Sequence, residues 1–85
     1  MKLLFCPKCQ DVIKLITQHN RSCMCGNVSG QVLPDEITAE VKNGVPLGFN
    51  NYTFANALAR RPQYGPGKDF TAFVIPKECP TVIVK

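Results

Sequence analysis

The sequence predicts a β-rich α+β protein with a single short helix. Three observations lead there. Short β-branched runs, such as Val12-Ile13-Lys14-Leu15-Ile16-Thr17 and Thr81-Val82-Ile83-Val84, alternate with turn-forming Gly, Pro and Asn. Only the stretch around Phe54, Ala57 and Leu58 carries the i, i+3, i+4 spacing of a helix with one apolar face. Two close-set cysteine pairs, Cys6/Cys9 and Cys23/Cys25, can hold a metal where a chain of 85 residues builds only a modest core.

Residues 1–33 read as one unit held by those cysteines. Cys6-Pro7-Lys8-Cys9 forms one tight turn and Cys23-Met24-Cys25-Gly26 the other, with the Val12–Thr17 run as a strand between them. His19-Asn20-Arg21-Ser22 is the polar turn before the second pair, and Val28–Leu33 returns as a strand that Pro34-Asp35 ends. Residues 34–85 form a small β-rich extension that packs with this unit as one compact domain. Asn43-Gly44, between Ala39-Glu40-Val41 and Val45-Pro46-Leu47, is the strongest hairpin signal in the chain. The helix is expected over 52–61, capped by Asn51 or Thr53 and stopped by Pro62. Gln63–Lys68 is a loop, Phe70–Ile75 an apolar strand buried on both faces, and Thr81–Val84 a closing strand.

Composition narrows the function classes. An apolar fraction of 45% with 19% charged residues describes a folded chain rather than a disordered one. The apolar run Leu3-Leu4-Phe5 stops at Cys6, short of the ~7–15 residues of a secretory signal or the ~20 of a membrane span, so a cytoplasmic protein is expected. The Asn-x-Ser/Thr matches at Asn20, Asn27 and Asn51 then carry no meaning. The formal charge is +4 with the cysteines neutral, and four thiolates on one Zn²⁺ would lower it to about +2. Lysines and arginines are scattered, with Arg60-Arg61 the only adjacent pair.

The cysteine spacing carries the chemistry. A Cys-x₂-Cys pair, a gap of thirteen residues (10–22) and a Cys-x-Cys pair supply two thiolates from each of two sharp turns, as a structural zinc ion requires. Reducing conditions in the cytosol disfavour a disulfide framework. A redox Cys-x₂-Cys starts a helix, and none is expected after Cys9. A four-cysteine iron site uses the same ligand set and is the remaining rival.

Phe5-Cys6-Pro7-Lys8-Cys9 together with Cys23-Met24-Cys25-Gly26 resembles the two knuckles of the zinc-ribbon group. The resemblance covers the first third of the chain and implies that Cys6, Cys9, Cys23 and Cys25 ligate one zinc ion. It also implies a macromolecular partner, of either class. The sequence departs from the group in two places. Gln10 stands where a ribbon usually has Gly, and the second pair has one spacer residue, which makes His19 the natural substitute ligand. The rest of the chain resembles small uncharacterised bacterial and phage proteins, which implies no activity.

Other notable residues have simpler roles. His19, in a polar turn, reads as a solvated histidine rather than a base. Cys79 reads as a buried free thiol, because no motif links it to a partner base. Arg60 and Arg61 complement the helix dipole or contact a partner. Tyr64-Gly65-Pro66-Gly67-Lys68 lacks the phosphate-loop pattern and reads as an exposed loop, with Tyr64 and Lys68 as candidate contacts. Phe49, Tyr52 and Phe54 are expected to pack a small core. With four sulfur ligands a zinc ion has no open position for water, so no enzyme is expected. The sequence favours a non-enzymatic adaptor or inhibitor docking on a larger protein, with no small-molecule substrate; the alternative is a nucleic-acid-binding accessory.

Overall fold

A computed structural model describes residues 2–85, and it is β-rich α+β, with two four-stranded sheets and one helix. The strands are β1 (Lys2–Phe5), β2 (Val12–Lys14), β3 (Arg21–Ser22), β4 (Ser29–Val32), β5 (Ala39–Lys42), β6 (Val45–Phe49), β7 (Ala72–Val74) and β8 (Val82–Val84). The helix α1 (Asn51–Ala59) follows β6. One sheet has the order β2-β1-β6-β7 and the other β3-β4-β5-β8. All neighbours are antiparallel except β5 and β8.

The sheets grow outward together along the chain. The hairpins β1/β2 and β3/β4 come first, β5 then joins β4 and β6 joins β1, and finally β7 covers β6 and β8 covers β5. Both sheets therefore combine strands from before and after Leu33. Between them lies one core, in which Leu4, Ile13 and Leu15 meet Val28, Ala39 and Val41, with Cys6 and Cys23 in the same cluster.

The Asn43-Gly44 signal sets the turn but not the pairing. Both residues take positive φ, 59° and 74°, as a tight hairpin turn of this sequence demands. Yet β5 and β6 do not pair; the turn carries the chain from one sheet to the other. Each strand is already flanked on both sides, β5 by β4 and β8, β6 by β1 and β7, so no edge is left for the local partner. Gly44 also has no room for a side chain, since a Cβ there would lie 3.0 Å from Leu4 Cδ1 and from the Phe5 carbonyl oxygen.

Three other expectations are corrected. The helix runs Asn51–Ala59 rather than 52–61, and Asn50 caps it, its Oδ1 accepting the Thr53 N–H at 3.1 Å. Arg60 is the C-cap with φ −109°, so both arginines stand outside the helix; Arg61, before Pro62, is disfavoured in helical geometry. The Phe70–Ile75 run is not buried on both faces: only Ala72–Val74 is strand, an exposed edge, and Ile75 alone is buried. A chain this small has too little mass to cover every edge strand. Tyr52 stays in solvent; Phe70 replaces it beside Phe49 and Phe54, with ring centroids 4.9–5.4 Å apart.

Candidate metal centre

Each cysteine pair sits on a turn at the end of a strand. Cys6 directly follows β1 and Cys23 directly follows β3. In both turns the residue after the second cysteine has positive φ, Gln10 at 62° and Gly26 at 78°. In both, that residue's N–H donates to the carbonyl of the first cysteine, Gln10 to Cys6 at 2.7 Å and Gly26 to Cys23 at 3.1 Å. The missing spacer residue of the second pair shortens this closure by one residue without changing its plan. The position of Gln10 explains why ribbons favour Gly there: a side chain costs roughly 1–2 kcal/mol in the left-handed region. Gln10→Gly is expected to leave metal binding intact and to raise thermal stability slightly, by up to about 1 kcal/mol in a melting experiment.

The two turns are bonded to each other. The Met24 N–H donates to Asp11 Oδ2 at 3.0 Å, and Asn43 Nδ2 donates to the Asn27 carbonyl at 2.9 Å. The inter-sheet turn thus closes against the second cysteine loop, so the cysteines and the Asn43-Gly44 crossing tie the sheets together at one end.

The sulfur atoms of Cys6, Cys9, Cys23 and Cys25 all lie within 4.8 Å of one another. Cys6 Sγ is 3.7 Å from Cys25 Sγ, and Cys23 Sγ is 3.5 Å from it. Zn–S bonds of about 2.3 Å at tetrahedral angles place sulfurs about 3.8 Å apart, whereas a disulfide needs about 2.05 Å. All five cysteines are free thiols. Four cysteines are therefore placed to hold one metal ion, in an arrangement like that of a zinc ribbon. His19 is exposed and adds no donor to the group.

Backbone donors favour thiolates here. The Cys9 N–H points at Cys6 Sγ (3.4 Å) and the Val28 N–H at Cys23 Sγ (3.5 Å). Burial works against ionisation of Cys23, but the Val28 N–H and the neighbouring thiols outweigh it and lower the group to about 6. Burial also opposes ionisation of Cys9, and the N–H groups of Asp11 and Cys25 with the adjacent thiols again prevail, so it too is lowered. At Cys25 the Asn27 N–H favours the thiolate, yet Cys23, burial and the other sulfurs together push it up to about 11. One member of a crowded sulfur group keeps its proton until a cation neutralises the rest. The site is one-sided: Cys6 and Cys23 are buried and Cys25 is exposed.

The other candidate residues fall elsewhere. β1 runs toward the cysteines and β6 runs back, with Val45 opposite Phe5 and Gly48 opposite Lys2. The helix after Phe49 therefore stands at the far end of that sheet, about 14 Å of strand away. There Arg61, Tyr64 and Lys68 line one groove together with Phe54, Leu58 and Phe70; Arg60 is exposed beside them. Cys79 is half-buried, not fully buried, in a cavity shared with Phe49 and Phe73. Its Sγ lies 3.3 Å from Thr81 Oγ1, and hydrogen bonds from the Thr81 hydroxyl and N–H, helped by Lys2, lower its pKa against the effect of burial. Cys79→Ala should leave the metal content unchanged and lower the melting temperature by only a few degrees, since the thiol belongs to neither the cysteine group nor the main core.

Comparison with protein-family models, with curated proteins and with solved structures finds no match for this chain. The assignment of the centre therefore stands on its own geometry. No helix among the described residues is long and apolar enough to cross a membrane.

Proposed function

We propose that the chain is a small zinc-binding interaction protein without catalytic activity, an adaptor or inhibitor that docks on a larger protein or complex. The observation that carries it is the approach of four cysteine sulfurs to within 4.8 Å on two turns that clamp a pair of sheets. Four soft sulfur donors at tetrahedral spacing suit Zn²⁺, and they fill its coordination shell. A closed zinc ion has no position for an activated water, so its contribution is to hold the fold. Reduced thiols fit a cytoplasmic location. The rest of the surface supports docking: Phe73, Val74, Ile83 and Val84 are exposed on β7 and β8, two of the four edge strands.

Metal analysis of the protein purified without chelator is expected to give one zinc per chain. Replacement by Co²⁺ should produce the absorption of a tetrahedral cobalt–thiolate centre. Less than a tenth of an equivalent of zinc or iron in a protein that still melts cooperatively would refute the metal role. Capture experiments with the loaded protein, in nuclease-treated lysate, test the docking role.

The nucleic-acid reading keeps one observation in its favour, the meeting of Arg61, Tyr64 and Lys68 on one groove. It requires retention on a polyanion column at physiological salt. The chain has no Trp and only two Tyr, so co-purified nucleic acid would dominate its ultraviolet spectrum.

A further inference from the structure

The groove between α1 and the loop that follows it is lined by residues of two chemistries. Phe54, Ala57, Leu58 and Phe70 make much of its lining apolar, and Arg61 and Lys68 line it as well. Its volume is ≈ 260 Å³. No carboxylate lines it; Asp69, the nearest acid in sequence, is not among the lining residues. The one ion pair among the described residues joins Lys85 to Glu40, so Arg60, Arg61 and Lys68 form no ion pair with a described side chain. The backbone N–H groups of Gln63, Tyr64, Gly65, Gly67, Lys68 and Asp69 also lack partners among the described residues, and Pro66 has none to offer. Apolar lining and unpaired cations at one place suit an anion that brings an apolar group with it.

We propose that this groove docks a short acidic segment of a partner protein, with one apolar side chain seated against Phe54, Leu58 and Phe70 and flanking carboxylates on Arg61 and Lys68. This rests on the reading of the chain as an interaction protein and names the surface and the partner's chemistry. The volume is below the ~300–1,000 Å³ of sites for whole small molecules and matches one or two side chains. Arg61 can grip a carboxylate with two parallel hydrogen bonds, and Lys68 adds a second cation beside it. A nucleic acid is a poorer fit. Three cations around one groove make no track for a phosphate backbone, and the phenylalanine rings pack on each other at 50–69° instead of presenting open faces to bases. The scaffold suits docking, because the helix is fixed to the sheet edge. Thr53 Oγ1 accepts the Thr71 N–H at 2.9 Å and the Asn50 N–H donates to the Thr71 carbonyl at 2.8 Å.

The test uses the metal-loaded, ¹⁵N-labelled full chain and three probes. These are a pool of octapeptides with Leu or Phe at the centre and Asp or Glu on both sides, the same pool with Lys for the acids, and a twelve-nucleotide oligo-dT. The acidic pool is expected to shift the amides of Leu58, Arg61, Tyr64, Gly67 and Lys68. In Arg61→Glu/Lys68→Glu its affinity should fall at least about tenfold, as when charges across an interface are reversed. Both residues are exposed, and an unchanged melting temperature will show that the double variant folds. No shift in the groove, equal binding of the basic pool, or tighter binding of oligo-dT than of the acidic pool would each overturn the proposal. Capture of a lysate protein equally well by the parent and the double variant would overturn the groove assignment while leaving the interaction role standing.

Discussion

Cys9→Ser is expected to unfold the protein at room temperature. Cys9 is half-buried and lies at the edge of the core, so the substitution removes little packing and isolates the ligand role. Structural zinc contributes an apparent ~10–16 kcal/mol in small zinc-held peptides. The whole stability of a domain of ordinary size is only about 5–15 kcal/mol. Three remaining sulfurs would bind the ion far less tightly, and the serine would leave a gap in the shell. Circular dichroism and a one-dimensional proton spectrum should show loss of the dispersed β-sheet signals, and metal analysis should show loss of zinc. A strong chelator added to the parent should give the same spectrum. Equal melting temperatures for Cys9→Ser and the parent would contradict the metal role outright.

Leu4→Ala is expected to cost about 2–5 kcal/mol while leaving the ion in place. Leu4 is fully buried on β1, in register with Ile13 of β2 and Pro46 of β6, and its side chain packs beneath the Gly44 turn. Removing it opens a void between the two sheets at the point where both chains of strands begin. At about 4–8 °C per kcal/mol for a domain of this length, such a loss lowers the melting temperature by at least about 8 °C. The separable readout is zinc content, which should remain one per chain below the new transition. A shift of less than about 3 °C would mean that the inter-sheet core collapses around the gap or contributes little.

Features set by local chemistry were legible in the sequence. The cysteine spacing pointed to the sulfur cluster, and Phe54, Ala57 and Leu58 with Pro62 beyond them located the helix within two residues at either end. Pairing was not legible, because it depends on which edges are free. Asn43-Gly44 dictated two left-handed residues, as expected, but the neighbours of β5 and β6 decided that the turn would join sheets instead of strands. Apolar composition at Phe70–Ile75 suggested burial, yet an outermost strand in so small a molecule has nothing to lie beneath. The groove was visible only as separate candidates, Arg60-Arg61 and Tyr64–Lys68. Nothing in their spacing shows that the fold sets Arg61, Tyr64 and Lys68 against Phe54 and Phe70.

The stepwise layering of the strands has a consequence for assembly. Residues 2–32 contain two local hairpins and all four cysteines placed to hold a metal ion, so capture of an ion there would need closure of only a short chain segment. Each later stretch then zips one strand onto either side of a seam already fixed, first β5 and β6, then β7 and β8. Order can thus spread outward from the two paired hairpins. Trimming from the tail should peel the two flanks together and leave the stapled seed as the last part to melt.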